Sequence, residues 1–326
     1  MRIPPEALTS DSRILLSVDE TEIYAEAIGD SAKPAIVFIH GILLSSVVFD
    51  DIFNDLSWCS ELYLIRYDIR GHGRSGKPDN EDAWDSQRFA QDFDTVVQAF
   101  GLKKPFVAGW CVYPNVSELQ SHPSVSIQQE HRRYRKSASR PSPKGLTEIL
   151  ASCIADILAF QPTSYLSGII YIAPLPHMGD IMNQVLSSVC FDCLPSFAQN
   201  EDVDAYQEAA NSFIVLCSSS MSHSMRLACL GSFLIQPRFI ATNVLAREQN
   251  EEGWSKAGAA GLPSLLLLGK DDNIVVNNEI LGVMEGWKDL KVVEMRGDHM
   301  VWLGDLLAFR RAVLAWVGTA AARQSE

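Results

Sequence analysis

This chain of 326 residues lacks several things that would place it in other protein classes. It has no excess of positive charge. Its 27 Lys and Arg stand against 40 Asp and Glu, a net charge of −13, which argues against nucleic acid or an anionic membrane surface as a partner. No run of about 18 apolar residues occurs, so no transmembrane helix is expected. The opening MRIPPEALTSDSRILLSV has no charged region followed by a long apolar one, so no secretory signal is expected. The closing ARQSE is no peroxisomal address. A cytoplasmic protein is the expectation. Cysteines number only seven, at irregular spacing, which argues against a disulfide framework. Cys190 and Cys193 form a single C-x-x-C without the second pair a zinc site needs, so no metal is expected. That pair reads as two small apolar side chains on a helix, with a redox pair as the alternative.

What is present is apolar bulk. At 47% apolar residues the chain can bury the core of one large α/β domain or two small ones. Residues 13–17 and 22–27 read as a strand hairpin turning near Asp19-Glu20. AIVFI (35–39), LYLIRY (62–67), PFVAG (105–109), GIIYIA (168–173), PSLLLLG (263–269) and LKVVEM (290–295) are short apolar runs bounded by turn residues. Such runs fit strands buried on both faces of a parallel sheet. Between them Phe89, Phe93, Val96, Val97 and Phe100 recur at helical spacing, with Asp85 or Ser86 as cap and Gly101 as stop. Residues 146–160 and roughly 304–322 read as further helices. Strands alternating with helices imply crossover connections and a mostly parallel sheet.

Two segments break the alternation. Residues 176–255 are long and mostly helical, as expected of a lid above the sheet. Residues 112–144 hold seven Ser, four Pro and six Lys or Arg against two Glu, a local charge of +4. That composition predicts a disordered segment.

Chemistry gathers after the strands. FIHGILLSS (38–46) and YDIRGHGRSGKP (67–78) are Gly-rich turns; GKDDNIVV (269–276) places acids after an apolar strand, and RGDHMVWL (296–303) places a His after the next. Side chains at the carboxyl ends of parallel strands point into the ligand crevice of open α/β sheets. Taken singly, His40 and His72 read as structural, Asp271 and Asp272 as a turn pair or acids, and His299 as a loop His or a base. Ser45, Ser46 and Ser75 read as turn hydrogen-bonders, Cys153 as buried, and His177 and His223 as residues of the lid.

In order along the chain, these motifs resemble the α/β-hydrolase fold family, whose triad runs nucleophile, acid, His. The resemblance spans about residues 13–320. It implies a mostly parallel sheet with helices on both faces and a helical lid. It divides the chain into core (1–175), lid (176–255) and core (256–326). By the same resemblance Cys111 is the nucleophile, Asp272 the acid and His299 the base. Backbone N–H groups of Ile42 and Val112 form the oxyanion hole. Apart from the resemblance, His40, Trp110 and Trp302 are candidates for contact with the substrate, and the two tryptophans read equally as pocket lining or packing. No cofactor is implied. The expected reaction is hydrolysis or acyl transfer on a small, fairly apolar ester, thioester or lactone. The expected partner is a small-molecule substrate.

The elbow departs from the family's pattern. Tyr113-Pro114 follow where a small residue and a helix start are wanted, and helical periodicity resumes only at Leu146. Three explanations fit: a translated intron, a tolerated loop insertion, or a protein that has lost catalysis. The last gives the competing function, an inactive hydrolase-like protein that binds a small ligand or partner.

Overall fold

Strands form where the apolar runs predict them. The computed structural model describes residues 10–110, 153–177, 181–193, 197 and 202–323. β1 (Asp11–Leu16) and β2 (Glu22–Gly29) make an antiparallel hairpin whose turn carries Glu20 at φ +64°. β3 (Ala35–Ile39) leads to a short α1 (Asp50–Phe53), then β4 (Tyr63–Tyr67), α2 (Ser86–Ala99) and β5 (Phe106–Trp110). α3 (Cys153–Phe160) precedes β6 (Gly168–Ile172). Between β6 and the next strand lies a helical excursion: α4 (Met182–Val185), α5 (Ser188–Cys193), α6 (Val203–Cys217), α7 (His223–Ile235), α8 (Arg238–Ala246) and α9 (Glu252–Ala260). The chain closes with β7 (Ser264–Gly269), α10 (Asn277–Val283), β8 (Leu290–Met295), α11 (Val301–Gly304) and α12 (Leu306–Arg323).

The eight strands form one sheet in the order β1-β2-β4-β3-β5-β6-β7-β8. The first two pairings are antiparallel; every pairing from β4 across to β8 is parallel. β3, β5, β6 and β7 sit inside the sheet and are almost entirely buried, which is why they read as unbroken apolar runs. The edge strands β1 and β8 are the wetter ones. This is the mostly parallel α/β sheet the sequence predicts.

One buried ion cluster ties the hairpin, the turn after β4 and α2 together. Arg70 is fully buried and grips Asp92 with two nitrogens, at 2.7 and 2.6 Å, while its third reaches Asp19 at 2.8 Å. Ser17 donates to Asp92 at 2.6 Å. The bidentate fork gives the charge a fixed geometry. Asp85 occupies the cap position of α2, as expected, though its side chain makes no capping bond. Helix α3 is seen from Cys153; the expected start near Leu146 and the segment 112–144 lie outside the described residues.

Candidate active site

The turn after β7 and the loop after β8 bring Asp272 and His299 together. Their side chains are both fully buried, and His299 Nδ1 donates to Asp272 Oδ2 at 2.8 Å. Asp272 Oδ1 accepts from the backbone N–H of Ile274 at 2.7 Å and of Val275 at 3.0 Å. The carboxylate is therefore held on both oxygens and cannot swing away. With Nδ1 donating, a neutral imidazole carries its lone pair on Nε2, as a general base requires. Glycine makes the loop possible. Gly297 lies at φ +119°, and a Cβ there would stand 2.9 Å from Gly304 Cα. A side chain at Gly269 would collide with the Asp298 carbonyl.

Trp110, the last residue of β5, reaches the same place. Its indole N–H donates to the His299 carbonyl at 3.0 Å, and its ring lies 5.5 Å from the imidazole. Trp302 packs edge-on against Trp110 at 5.2 Å and lies tilted against Phe49 at 5.4 Å. Both tryptophans are buried and pack beside the His299 loop.

His40 follows β3, and its ring is held by backbone groups, as the structural reading of it expects. Its Nδ1 donates to the Gly41 carbonyl at 2.7 Å and its Nε2 accepts from Ile69 N–H at 3.0 Å. Both ring nitrogens are spent inside the protein, and burial pushes its pKa down. His72 lies edge-on to it at 5.4 Å, pushed down to about 3 by burial and then by the neighbouring His40. Asp68 is spent on its own turns. It accepts from Ser46 N–H and hydroxyl at 2.8 and 2.6 Å and from Arg74 N–H at 2.8 Å. Ser75 donates to the Asp68 carbonyl and accepts from Tyr24 N–H; Ser45 meets Ser232 at 3.0 Å. The three serines are turn hydrogen-bonders, as expected. Cys153 is buried, as expected, and burial pushes its thiol up to about 12. Ile42 is buried just after His40-Gly41, and Leu43 beyond it takes φ +64°, a strained value for a leucine. Cys111 and Val112 lie outside the described residues.

Sequence reasoning missed how the helical excursion grips both loops of the pair. Leu186 bridges to Val275, and Val276 N–H donates to the Val185 carbonyl at 2.7 Å. On the other side Ser219 donates its N–H and hydroxyl to Asp298 at 2.7 and 2.8 Å, and Met300 N–H donates to the Cys217 carbonyl. These partners stand 79 to 91 residues apart, and no local pattern announces them. Among the described residues no cluster of three or more His, Cys, Asp or Glu is placed to hold a metal ion. Among them, too, no helix is long and apolar enough to cross a membrane.

Comparison with known proteins agrees with this fold. A family model described as alpha/beta hydrolase fold matches residues 34–112. An aryl-esterase candidate of Burkholderia cenocepacia superposes with a TM-score of 0.74 at 19% identity, over 96% of this chain and 100% of its own. Esterase RhEst1 from Rhodococcus sp. ECU1013 gives 0.73 at 20% identity, over 95% and 99%. At such identities the likeness is one of fold. In sequence, the proteins named "Probable oxidoreductase EphD" of Mycobacterium tuberculosis and Mycobacterium bovis are 35% identical over 94 residues, 29% of this chain. That match spans only 16% of their length.

Proposed function

This chain has the α/β-hydrolase fold, and on that premise we propose that it hydrolyses, or transfers the acyl group of, small and fairly apolar carboxylic esters, thioesters or lactones. Cys111 is the nucleophile, His299 the base and Asp272 the acid that orients it. His299 Nε2 takes the thiol proton and Sγ attacks the carbonyl carbon. The oxyanion is held by backbone N–H groups of Ile42 and Val112, each worth roughly 3–4 kcal/mol. The intermediate collapses, and the leaving oxygen or sulfur takes the proton back from His299. Water, deprotonated by His299, then attacks the acyl-cysteine and releases the acid. The helical excursion acts as the lid over this site.

One observation carries the reading. The buried Asp272–His299 pair, at 2.8 Å, is braced at the His299 carbonyl by Trp110, the residue bonded directly to Cys111. A His-paired thiol ionises readily, so cysteine suits this place. The esterase names among the fold's neighbours support the substrate class.

The test is hydrolysis of short-chain and medium-chain aryl esters. Four proteins are compared: the full chain, a form lacking 112–145, and each with Cys111→Ala. Activity that needs Cys111, in either form, is expected. A second reading rests on Tyr113-Pro114 and the polar segment beyond, which interrupt the elbow pattern. If neither folded form shows Cys111-dependent activity, the chain is a non-catalytic binding protein on the same fold.

A further inference from the structure

The loop that carries His299 is anchored from three directions. Asp271 N–H donates to the Gly297 carbonyl at 2.9 Å, which ties the loop to the turn that carries Asp272. Trp110 of β5 holds it at the His299 carbonyl. The third anchor comes from outside the sheet, from the end of α6 and the two residues after it. Asp298 Oδ2 accepts both the N–H and the hydroxyl of Ser219, at 2.7 and 2.8 Å, and Met300 N–H donates to the Cys217 carbonyl at 2.8 Å. His299 therefore lies between two residues that are both fastened to residues 217–219.

The Asp298 contact is the one that a single side chain decides. Asp298 is only 6% exposed. Its Oδ1 is buried and has no hydrogen-bond partner, so the hydrogen bonds to this carboxylate come from Ser219 alone. A buried carboxylate needs charge-assisted hydrogen bonds in place of the water it has lost. Without the Ser219 donors it would have to turn toward solvent, and the loop would turn with it. The next residue in that loop is His299, whose Nδ1 must stay within hydrogen-bond reach of Asp272.

We propose that Ser219 is a positioning residue for His299: through Asp298 it fixes the loop so that the ring meets the Asp272 carboxylate. The proposal rests on the reading of His299 as the base. It makes the end of a lid helix part of the machinery that aligns the pair.

The test is the proton NMR resonance of the Asp272–His299 hydrogen bond, which an imidazole N–H on a carboxylate places well downfield of the amide protons. It is recorded on the full chain and on Ser219→Ala, Ser219→Thr and Asp298→Ala, with His299→Ala to assign it. Ser17→Ala is the control, because Ser17 also donates to a buried carboxylate, Asp92, in the ion cluster of the hairpin. The resonance should shift or broaden in Ser219→Ala, disappear in Asp298→Ala, and return to its parent position in Ser219→Thr, which restores the hydroxyl. Ser17→Ala should lower the unfolding temperature and leave the resonance where it was, as a merely structural serine would. In a form that cleaves aryl esters, Ser219→Ala should lower kcat by about tenfold with KM unchanged. The resonance reports on the clamp whether or not an ester is cleaved, so a lack of Cys111-dependent activity would count against the proposed reaction alone. Asp298→Ala removes the acceptor instead of the donor and decides the matter if Ser219→Ala does not fold. The proposal is overturned by a parent spectrum without the resonance, by a resonance unmoved in folded Ser219→Ala or Asp298→Ala, by an equal shift in Ser17→Ala, or by an unchanged kcat in an active form.

Discussion

His40 and His299 both stand just past a parallel strand, both are fully buried, and each has an aspartate nearby. Around His40 the ring nitrogens go to backbone groups, Gly41 carbonyl and Ile69 N–H, while Asp68 is taken up by Ser46 and Arg74. Around His299 the aspartate meets the ring itself, and the backbone of the Asp272 turn secures only the far oxygen of that carboxylate. Burial and residue type are shared. What separates the two is whether the carboxylate holds the ring: Asp272 does, and Asp68 does not. The first arrangement stiffens the turn that carries Ile42; in the second a fixed acid orients the ring through Nδ1, as the proposed base role of Nε2 needs.

Breaking the His299 side should cost activity first. Asp272→Asn is expected to lower kcat for a Cys111-dependent ester by on the order of 10⁴-fold, because an amide favours the wrong tautomer, and His299→Ala should do at least as much. Steady-state rates on an aryl ester check this, with unfolding curves to show both variants fold. Breaking the brace side should cost stability instead. Asp92→Asn withdraws the carboxylate that grips Arg70 beside this turn, and about 3 kcal/mol of unfolding free energy should be lost in urea titration. His40→Ala leaves the Ile69 N–H unpaired beside a new void, and about 2–4 kcal/mol should go. Its activity per folded molecule should stay within about tenfold of the parent. A fall as deep as that of His299→Ala would erase the distinction between the two histidines.

A further effect is in acid. His72 falls to about 3 in the folded protein, below the ordinary histidine value, and His40 is lowered in the same direction. The unfolded chain therefore binds protons that the folded one refuses. The His72 contribution is fully present above about pH 6.5 and is lost as pH falls toward 3, at up to about 1.4 kcal/mol per pH unit, and His40 adds to it in the same direction. Urea midpoints between pH 7 and 5 should fall accordingly, and His72→Gln should flatten the slope.

Much of this was legible in the chain. The interior strands β3, β5, β6 and β7 announced themselves as apolar runs because both faces are buried. The Asp272–His299 pair was reachable because order along the chain, after successive strands, fixes which strand ends meet. The state of His40 was not legible, since a His after a strand looks the same whether its ring binds backbone or substrate. Nor was Trp110's hold on the His299 carbonyl, a contact across 189 residues. The Asp298–Ser219 clamp depends on side-chain placement that periodicity does not encode.

The claim at the centre is that His299 activates Cys111. The most direct measurement is the rate of iodoacetamide alkylation at Cys111, mapped by mass spectrometry from pH 5 to 9, in the parent and in His299→Ala. Cys153 and Cys229 serve as internal references, because burial pushes their thiols up to about 12. The account predicts fast, selective modification of Cys111 at neutral pH that slows by at least about tenfold without His299. Modification no faster than at the buried cysteines, or unchanged by removing His299, would contradict it.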